Sequence, residues 1–307
     1  MRKKSKFLAG VVCLSLFAGM ALGSGSSDET KDIVTTENGG KETTSDKDNA
    51  ITSEDTKNAE EVTIEEQVLF EKDGIVVTAQ EYVADDIWGD GIKLLLENNA
   101  DKTVTVSCNA LIVNNYMITD LFASEVAPGK KANEVMYLSS SALEAAGIDT
   151  VGQVEIYFHV YDSSSYETLF DTDCVTIQTS AYANMDTTPA DTGTELYNAD
   201  GIRIVGKAVD ENSFWGTAIL LYCENNSGKN VGISVEEMSI NGFMMNPVFT
   251  TSVYDGKMSI DDVTIFTSDL EDNGIETIEE VELKFHIYEA DTYTTITDSD
   301  AIAFSVK

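Results

Sequence analysis

The sequence predicts an all-β protein of two tandem, antiparallel β-sandwiches of immunoglobulin-like type, each with one short helix, behind a disordered N-terminal spacer. Three observations lead to this prediction. Residues 70–180 align with 197–307 without a gap after a shift of 127 positions. Within each copy, apolar residues alternate with polar ones, which is typical of strands with one buried face. The segment before the first copy lacks aromatic residues and is dense in Ser, Thr, Asp and Glu.

Residues 1–23 have the pattern of a secretory signal peptide. Four basic residues precede an uncharged apolar run that ends at Gly23. A bacterial lipoprotein signal would place Cys after this run, but Ser24 stands there, so a lipid anchor is not expected. The apolar run is at the lower limit of length for a membrane span, so cleavage and retention as an anchor both stay open. Either outcome predicts a secreted or cell-surface protein.

The rest of the chain divides at two polar segments. Residues 24–66 cannot bury enough apolar surface to offset the entropy lost on ordering, so we expect a disordered acidic spacer. Residues 181–195 are polar and contain both Pro and Gly, which predicts a linker. The two sandwich repeats are therefore expected at 67–180 and 196–307.

Strand and helix signals recur at equivalent places in both repeats. The strand predicted at 154–161 alternates Val, Ile, Phe and Val with polar or aromatic residues, and 281–288 repeats it. Short helices are expected near 139–147 and 266–274, where the first has Ser at its start and Gly at its end. About seven strands per repeat favour a sandwich, but the Cys…Trp…Cys signature of true immunoglobulin domains is absent. The topology is therefore only immunoglobulin-like.

Both repeats contain three sequence motifs, which read Gly-Ile-x-Ile/Val, then Leu-x-x-Glu-Asn-Asn-x-x-Lys-x-Val, then Val/Ile-Asn-x-Tyr/Phe-Met. These motifs resemble a β-sandwich repeat of Firmicutes secreted surface proteins and lipoproteins. The resemblance covers 68–180 and 196–307 but not the spacer, and it concerns core and turn positions. It implies an extracellular location and supplies no catalytic residues. Some secreted proteins of gut Firmicutes bind host immunoglobulin, so host proteins are one candidate class of partner.

Charge and motifs exclude several classes of function. With 54 Asp and Glu against 19 Lys and Arg, the formal charge is −35, which opposes binding to nucleic acid or to an anionic membrane surface. The sequence contains no nucleophile elbow, phosphate loop or His-Glu-x-x-His motif. We therefore expect neither an enzyme nor a cofactor. Because the acidic residues are spread along the chain, partner binding is expected to depend on an apolar or hydrogen-bonding patch and to change little with salt.

Two tryptophans are candidate contact residues. Trp88 and Trp215 occupy equivalent positions in a predicted turn before a strand. An exposed Trp at a loop tip suits protein or sugar contacts, whereas a buried one would close the open end of the sandwich. Both interpretations stay open.

The only two histidines of the chain are also equivalent. His159 and His286 are each followed two residues later by a tyrosine, Tyr161 and Tyr288. They are candidate binding residues on an outward sheet face, or ordinary outward residues that pack on a cross-strand neighbour. One His with one nearby Glu is too small a ligand set for a transition metal, so no metal site is predicted.

Removal of the signal would leave three cysteines. A Cys108–Cys174 disulfide within the first repeat is possible, but an odd count favours buried thiols. No Cys-x-x-Cys spacing indicates zinc or redox chemistry.

Taken together, these features predict an exported, non-enzymatic binding protein that recognises a protein partner, with no indication of its oligomeric state. One alternative is a glycan or small-ligand binding module that uses the Trp88 and Trp215 loops. Another is a structural envelope spacer.

Overall fold

The computed structural model describes residues 30–35, 61–85, 89–118, 122–213 and 216–306. Strands make up 62% and helices 6% of the structure, so the all-β prediction is confirmed. The strands up to the linker are β1 Thr30–Thr35, β2 Gln67–Lys72, β3 Ile75–Asp85, β4 Gly89–Asn98, β5 Val104–Val113, β6 Tyr116–Ile118, β7 Ala123–Val126, β8 Lys130–Tyr137, β9 Gln153–Asp162, β10 Thr168–Asp171 and β11 Val175–Gln178. Those that follow are β12 Thr194–Ala199, β13 Ile202–Ser213, β14 Gly216–Asn225, β15 Val231–Ile240, β16 Phe243–Met244, β17 Thr250–Val253, β18 Lys257–Phe266, β19 Glu280–Glu289, β20 Thr294–Asp298 and β21 Ile302–Val306.

The first repeat packs two antiparallel sheets around one core. One sheet has the order β2-β3-β4-β8. In the other, β5 pairs with β6, β7 and β9, and β9 also pairs with β10 and β11. The inward residues of β9 are buried and its outward residues are half-buried, as the period of two predicts. Val77, Leu94 and Phe158 are fully buried between the sheets.

The second repeat has the same strand pairings. Its first sheet runs β12-β13-β14-β18. In its second sheet, β15 pairs with β16, β17 and β19, and β19 also pairs with β20 and β21. Leu221 and Phe285 are fully buried in a separate core at the positions equivalent to Leu94 and Phe158. The internal repeat of the sequence is therefore also a repeat of strand order.

A buried asparagine explains the repeated Glu-Asn-Asn motif. The Asn98 side-chain amide donates to the carbonyls of Lys102 and Val126, both at 2.8 Å. Asn225 donates in the same way to Lys229 and Val253 at 2.7 and 2.8 Å. A buried carbonyl without a donor costs roughly 1–3 kcal/mol, so each asparagine ties a turn to a neighbouring strand.

Both predicted helices are present and short. Helix α1 is Ser140–Ala145, and the Ser139 hydroxyl accepts from the Ala142 N–H at its N-terminus. Helix α2 is Thr267–Asp272, and a 3-10 turn at Tyr182–Asn184 is the only other helical element among the described residues. None of these described helices is long and apolar enough to span a membrane.

The prediction of disorder over 24–66 is wrong for β1 and for the residues just before β2. Residues 30–35 include three β-branched residues in succession at Ile33–Thr35, and they pair with the second repeat. Ile64 forms a bridge to Thr179. Composition did not predict the order of these residues, because the apolar surface that they pack against lies far away in the sequence. The proposed signal at 1–23 lies outside the described residues.

The two repeats are joined by a hydrogen-bonded strand pair. Strand β6 of the first repeat lies parallel to β18 of the second, with Tyr116 opposite Met258. Ala190 of the predicted linker donates its N–H to the Tyr116 hydroxyl at 2.7 Å. Tyr222 and Ile260, on the outer face of β14 and β18, are buried in the same hydrophobic cluster as the core of the first repeat. We call this contact the junction.

The described cysteines are thiols. Cys108 and Cys174 are half-buried and form no disulfide, and Cys223 is fully buried. Burial raises the pKa of the Cys174 and Cys223 thiols, but only Cys223 is the fully buried thiol of the core that the sequence predicts.

Candidate functional site

Each repeat carries three neighbouring aromatic rings on one outward face, which we call the aromatic row. In the first repeat it consists of His159, Tyr161 and Tyr166. His159 and Tyr161 lie on β9, and Tyr166 lies in the turn that leads to β10. The ring centroids are 5.4 and 6.1 Å apart, with interplanar angles of 34° and 25°.

The second aromatic row consists of His286, Tyr288 and Tyr293. Its centroid distances are 5.4 and 5.8 Å, and its rings are even closer to parallel at 27° and 18°. His286 and Tyr288 lie on β19, and Tyr293 precedes β20. The structure therefore brings each predicted His–Tyr pair together with a further tyrosine.

The added tyrosines are exposed and hold an uncommon backbone conformation. Tyr166 is 78% exposed with φ 58°, and Tyr293 is 64% exposed with φ 56°. A bulky residue with positive φ is an outlier, and a strained residue on the surface calls for a functional explanation. The turn itself is held by main-chain hydrogen bonds from Tyr166 N–H to the Asp162 carbonyl and from Tyr293 N–H to the Glu289 carbonyl, both 2.8 Å.

One acidic side chain supports the first of these turns. The Asp162 carboxylate accepts from the N–H groups of Ser164 and Ser165 at 2.9 and 3.1 Å. These two hydrogen bonds lower the pKa of Asp162, so the side chain is charged at neutral pH. The turn that presents Tyr166 is thus built locally, without burying the tyrosine.

The central tyrosine has different surroundings in the two repeats. Tyr288 lies opposite Gly232, and a Cβ at that glycine would come within 2.3 Å of the tyrosine ring. The ring thus covers a strand glycine, which leaves it little freedom to turn. In the first repeat Tyr161 lies opposite Thr105, whose hydroxyl is 2.8 Å from that of Ser163. Of the two central tyrosines, Tyr288 is therefore the one that packs over a strand glycine.

Each histidine is oriented by an aspartate on the adjacent strand. His159 Nδ1 lies 2.7 Å from Asp171 Oδ1, and His286 Nδ1 lies 2.5 Å from Asp298 Oδ1. Because a carboxylate only accepts, Nδ1–H is the donor in both pairs. The histidine side chains are only 25% exposed, which fits an outward strand residue packed on its cross-strand neighbour.

A third residue near the histidine distinguishes the repeats. In the first repeat the Asn109 amide donates to Asp171 Oδ1 at 2.9 Å. In the second repeat, the equivalent residue Glu236 lies beside His286 and Asp298, with one ligand atom of each within 4.8 Å of the others. One imidazole and two carboxylates are donors that a divalent cation accepts, but three ligands, two of them exposed, make a weak set. The first repeat lacks this set because an amide replaces a carboxylate.

Glu236 follows the regular alternation of β15, since Ser234 lies opposite His286 and Glu236 lies opposite Lys284 on the same outward face. The register shifts only after Glu236, where Glu237 has φ 48°. What periodicity did not reveal is the cross-strand pairing that places Glu236 diagonally across from His286. The two added tyrosines had a visible signal, since Tyr166 and Tyr293 are equivalent under the 127-residue shift.

The other predicted contact residues cannot be placed. Trp88 and Trp215 both lie outside the described residues. The described candidate site is therefore the pair of aromatic rows with their acidic neighbours. Near-parallel, partly exposed rings on a sheet provide an apolar contact surface with hydroxyl groups at its rim, which suits recognition more than bond-breaking chemistry.

In comparisons with known proteins, the chain matches no protein-family profile, and no functionally characterised protein has a significantly similar sequence.

Proposed function

We propose that the protein is an exported, non-enzymatic binding protein of two immunoglobulin-like β-sandwich repeats, each of which contacts a protein partner through its aromatic row. The observation that carries the proposal is the exposed tyrosine with positive φ, Tyr166 and Tyr293, at the tip of both rows. Gly or Asn would adopt this conformation at lower cost. A tyrosine there is best explained by the contact surface that it provides.

Tyrosine suits a protein-binding surface for a physical reason. It offers a large amphipathic contact area and loses little conformational entropy when it is immobilised. Here the loss is smaller still, because the neighbouring rings already restrict Tyr161 and Tyr288. Two rows in one chain would raise apparent affinity for a partner that offers repeated or paired sites.

The proposal is tested by capture of partners from host secretions and from bacterial envelope extracts. The bait is the chain from residue 24 on, compared with the double variant Tyr166→Ser, Tyr293→Ser. The matched control is Tyr182→Ser, which changes a tyrosine that is 39% exposed outside both rows. We expect the double variant to lose at least about tenfold in affinity for the captured protein and the control to retain it.

Three outcomes would contradict the proposal. A double variant that binds like the wild type would exclude the rows as the contact. Release of the captured material by glycosidase treatment would favour the glycan-binding alternative. Capture of nothing by either bait would favour a structural spacer. Binding should also persist at 1 M salt, where the screening length falls to about 3 Å, since the contact is mainly apolar.

A further inference from the structure

Strand β1 lies across the edge of the second repeat and pairs with both of its sheets. Residues 30–32 pair antiparallel with 208–210 of β13, and residues 33–35 pair antiparallel with 304–306 of β21. Between these halves, Ile33 is only 5% exposed and belongs to the core of the second repeat. A segment from before the first repeat thus completes the core of the second.

A glycine forms the slot that receives Ile33. A Cβ at Gly206 would lie 2.8 Å from Ile33 Cδ1 and 3.1 Å from Leu196 Cδ1, so a side chain there would displace the strand. The equivalent residue of the first repeat is Ala79, which is fully buried. Only the second repeat therefore has this space.

Two polar contacts also match the strand to the second repeat. Lys31 Nζ lies 2.8 Å from Glu211 Oε1, and the Thr194 hydroxyl donates to the Ile33 carbonyl. At the positions equivalent to Glu211 and Thr194, the first repeat has Ala84 and Gln67. The groove for β1 is thus formed by residues of β12 and β13 that differ in type from their equivalents in the first repeat.

In the first repeat, the equivalent edge is covered by the residues that directly precede β2. The Ser180 N–H donates to the Thr63 carbonyl at 2.8 Å, and Ile64 bridges Thr179, just before β2 begins. In the second repeat the equivalent segment, 188–193, is held at the junction instead. There Asp191 accepts from Arg203 at 2.7 Å and Ala190 donates to Tyr116. The edge of β21 is therefore left for a strand from elsewhere.

We propose that the groove between β13 and β21 is an exchangeable strand-acceptor site, in which Thr30–Thr35 of a second copy of this chain replaces the chain's own strand and links the two molecules. Main-chain pairing supplies affinity, and the Gly206 slot with Glu211 selects the Lys31-x-Ile33 spacing. Reciprocal exchange closes a dimer, whereas one-way exchange builds open chains.

The length of the connection permits exchange. Residues 36–60 join Thr35 to Glu61, and 25 residues can span at most about 85 Å at roughly 3.4 Å each. Insertion into the same molecule is favoured in dilute solution, because a covalent connection of this length gives the strand an effective concentration on the order of mM. Exchange therefore depends on local crowding, or on a change that blocks self-insertion.

Two full-length variants, both from residue 24 on, test the exchange separately from self-insertion. Ile33→Asp disables the strand and leaves the groove available, so this chain is an acceptor only. Gly206→Val fills the slot and leaves the strand available, so this chain is a donor only. We expect each variant alone to sediment as a monomer and an equimolar mixture to form a 1:1 complex. A donor that carries both Gly206→Val and Ile33→Asp should form none.

A mixture that stays monomeric, with both variants folded by circular dichroism, would overturn the proposal. If Ile33→Asp does not fold alone, it is refolded with a synthetic peptide of residues 29–36. Recovery of the folded chain with this peptide, and not with a peptide carrying Asp at position 33, supports an acceptor site that takes the strand in trans. Failure of both peptides to restore folding would contradict it.

Discussion

The two repeats have the same inner faces, but the outer faces of their first sheets differ. On this face the second repeat has Tyr222, which is fully buried, and Ile260, which is 8% exposed. The equivalent residues of the first repeat are Leu95, which is half-buried, and Asn133, which is exposed. The second repeat is covered here by the first, whereas nothing among the described residues of the chain covers the first in the same way.

The difference shows how a duplicated unit adapts to its place. Inner faces must stay apolar in both copies, because each repeat has its own core. An outer face becomes apolar only where another repeat packs on it, and stays polar where it meets water. The apolar outer face therefore marks the covered repeat, and the polar one marks the end of the array.

Exchange of one outer-face residue should have the largest effect. Ile260→Asn introduces the residue of the first repeat and should lower the free energy of unfolding by about 3 kcal/mol, because it removes apolar contacts and buries an amide. The control Asn133→Ile changes the exposed equivalent and should alter stability by less than about 0.5 kcal/mol. Urea unfolding measures both. Equal effects would mean that the junction does not distinguish the repeats.

The next largest effect concerns a lysine at the junction. Lys257 Nζ lies 2.5 Å from Glu155 Oε2 and 3.1 Å from Asn115 Oδ1, and the paired side chains are 16% and 14% exposed. Lys257→Met leaves a largely buried carboxylate without its cation and should cost about 2 kcal/mol.

Its equivalent in the first repeat, Lys130, is exposed, so Lys130→Met should cost less than about 0.5 kcal/mol. Thermal unfolding of both variants measures the difference. A Lys257→Met chain as stable as the Lys130→Met chain would show that the ion pair does not stabilise the junction.

A smaller effect should appear as a dependence on pH. Asp261 borders a cleft of about 180 Å³ between the repeats, and burial raises its pKa from 3.8 to about 6, although the Thr251 hydroxyl donates to it. Between these values the folded state binds the proton more tightly than the unfolded state, so the contribution of Asp261 to stability is lost as pH rises from about 4 to 6. We expect a loss of about 1 kcal/mol, since the side chain keeps some contact with solvent.

Asp261→Asn should abolish this pH-dependent loss of stability. The free energy of unfolding of the variant, relative to that of the wild type, should therefore increase as pH rises from about 4 to 6. The neighbouring Asp262→Asn is the control and should keep the wild-type profile. Urea midpoints from pH 4 to 7 decide between them. If the two variants have the same profile, the junction cleft does not perturb Asp261.

The smallest predicted change in stability concerns the tyrosine with positive φ that both repeats share. Tyr166→Gly and Tyr293→Gly should each raise stability by about 0.5 kcal/mol, because glycine adopts positive φ without steric cost, offset in part by a more flexible unfolded chain. Tyr182→Gly, at a residue in a 3-10 turn, should instead lower stability. Small shifts in Tm measure all three. A loss at Tyr166 or Tyr293 would mean that these tyrosines serve packing more than recognition.

Much of the fold could be predicted because its signals are local. The alternation at 154–161 and 281–288 was enough to place β9 and β19, and the Ser and Gly residues around 139–147 were enough to place α1. The burial of the outer face at the junction was also indicated by the sequence, although not by an alternation of apolar and polar residues. The run Ala218–Cys223 is apolar at every position, which is typical of a strand buried on both faces.

Other features depended on contacts that sequence periodicity does not report. Strand β1 is ordered by Gly206 and β21, which lie far from Ile33 in the chain. Glu236 lies beside His286 because it is the outward neighbour of Ser234, which pairs with His286 between β15 and β19. The aromatic rows were predicted in part, through the histidines and the first tyrosines, since those residues share one strand face.

The docking of β1 places the beginning of the described chain beside the second repeat and not beside the first. Ile33 pairs with Val306, so the beginning and the end of the described chain meet at one edge of the second repeat. In a molecule held by its first residues, the second repeat would stand next to the point of attachment and the first would be the outermost part. A pulling force applied at the N-terminus would then act on β1 first. It would detach β1 from the second repeat before the first repeat came under load.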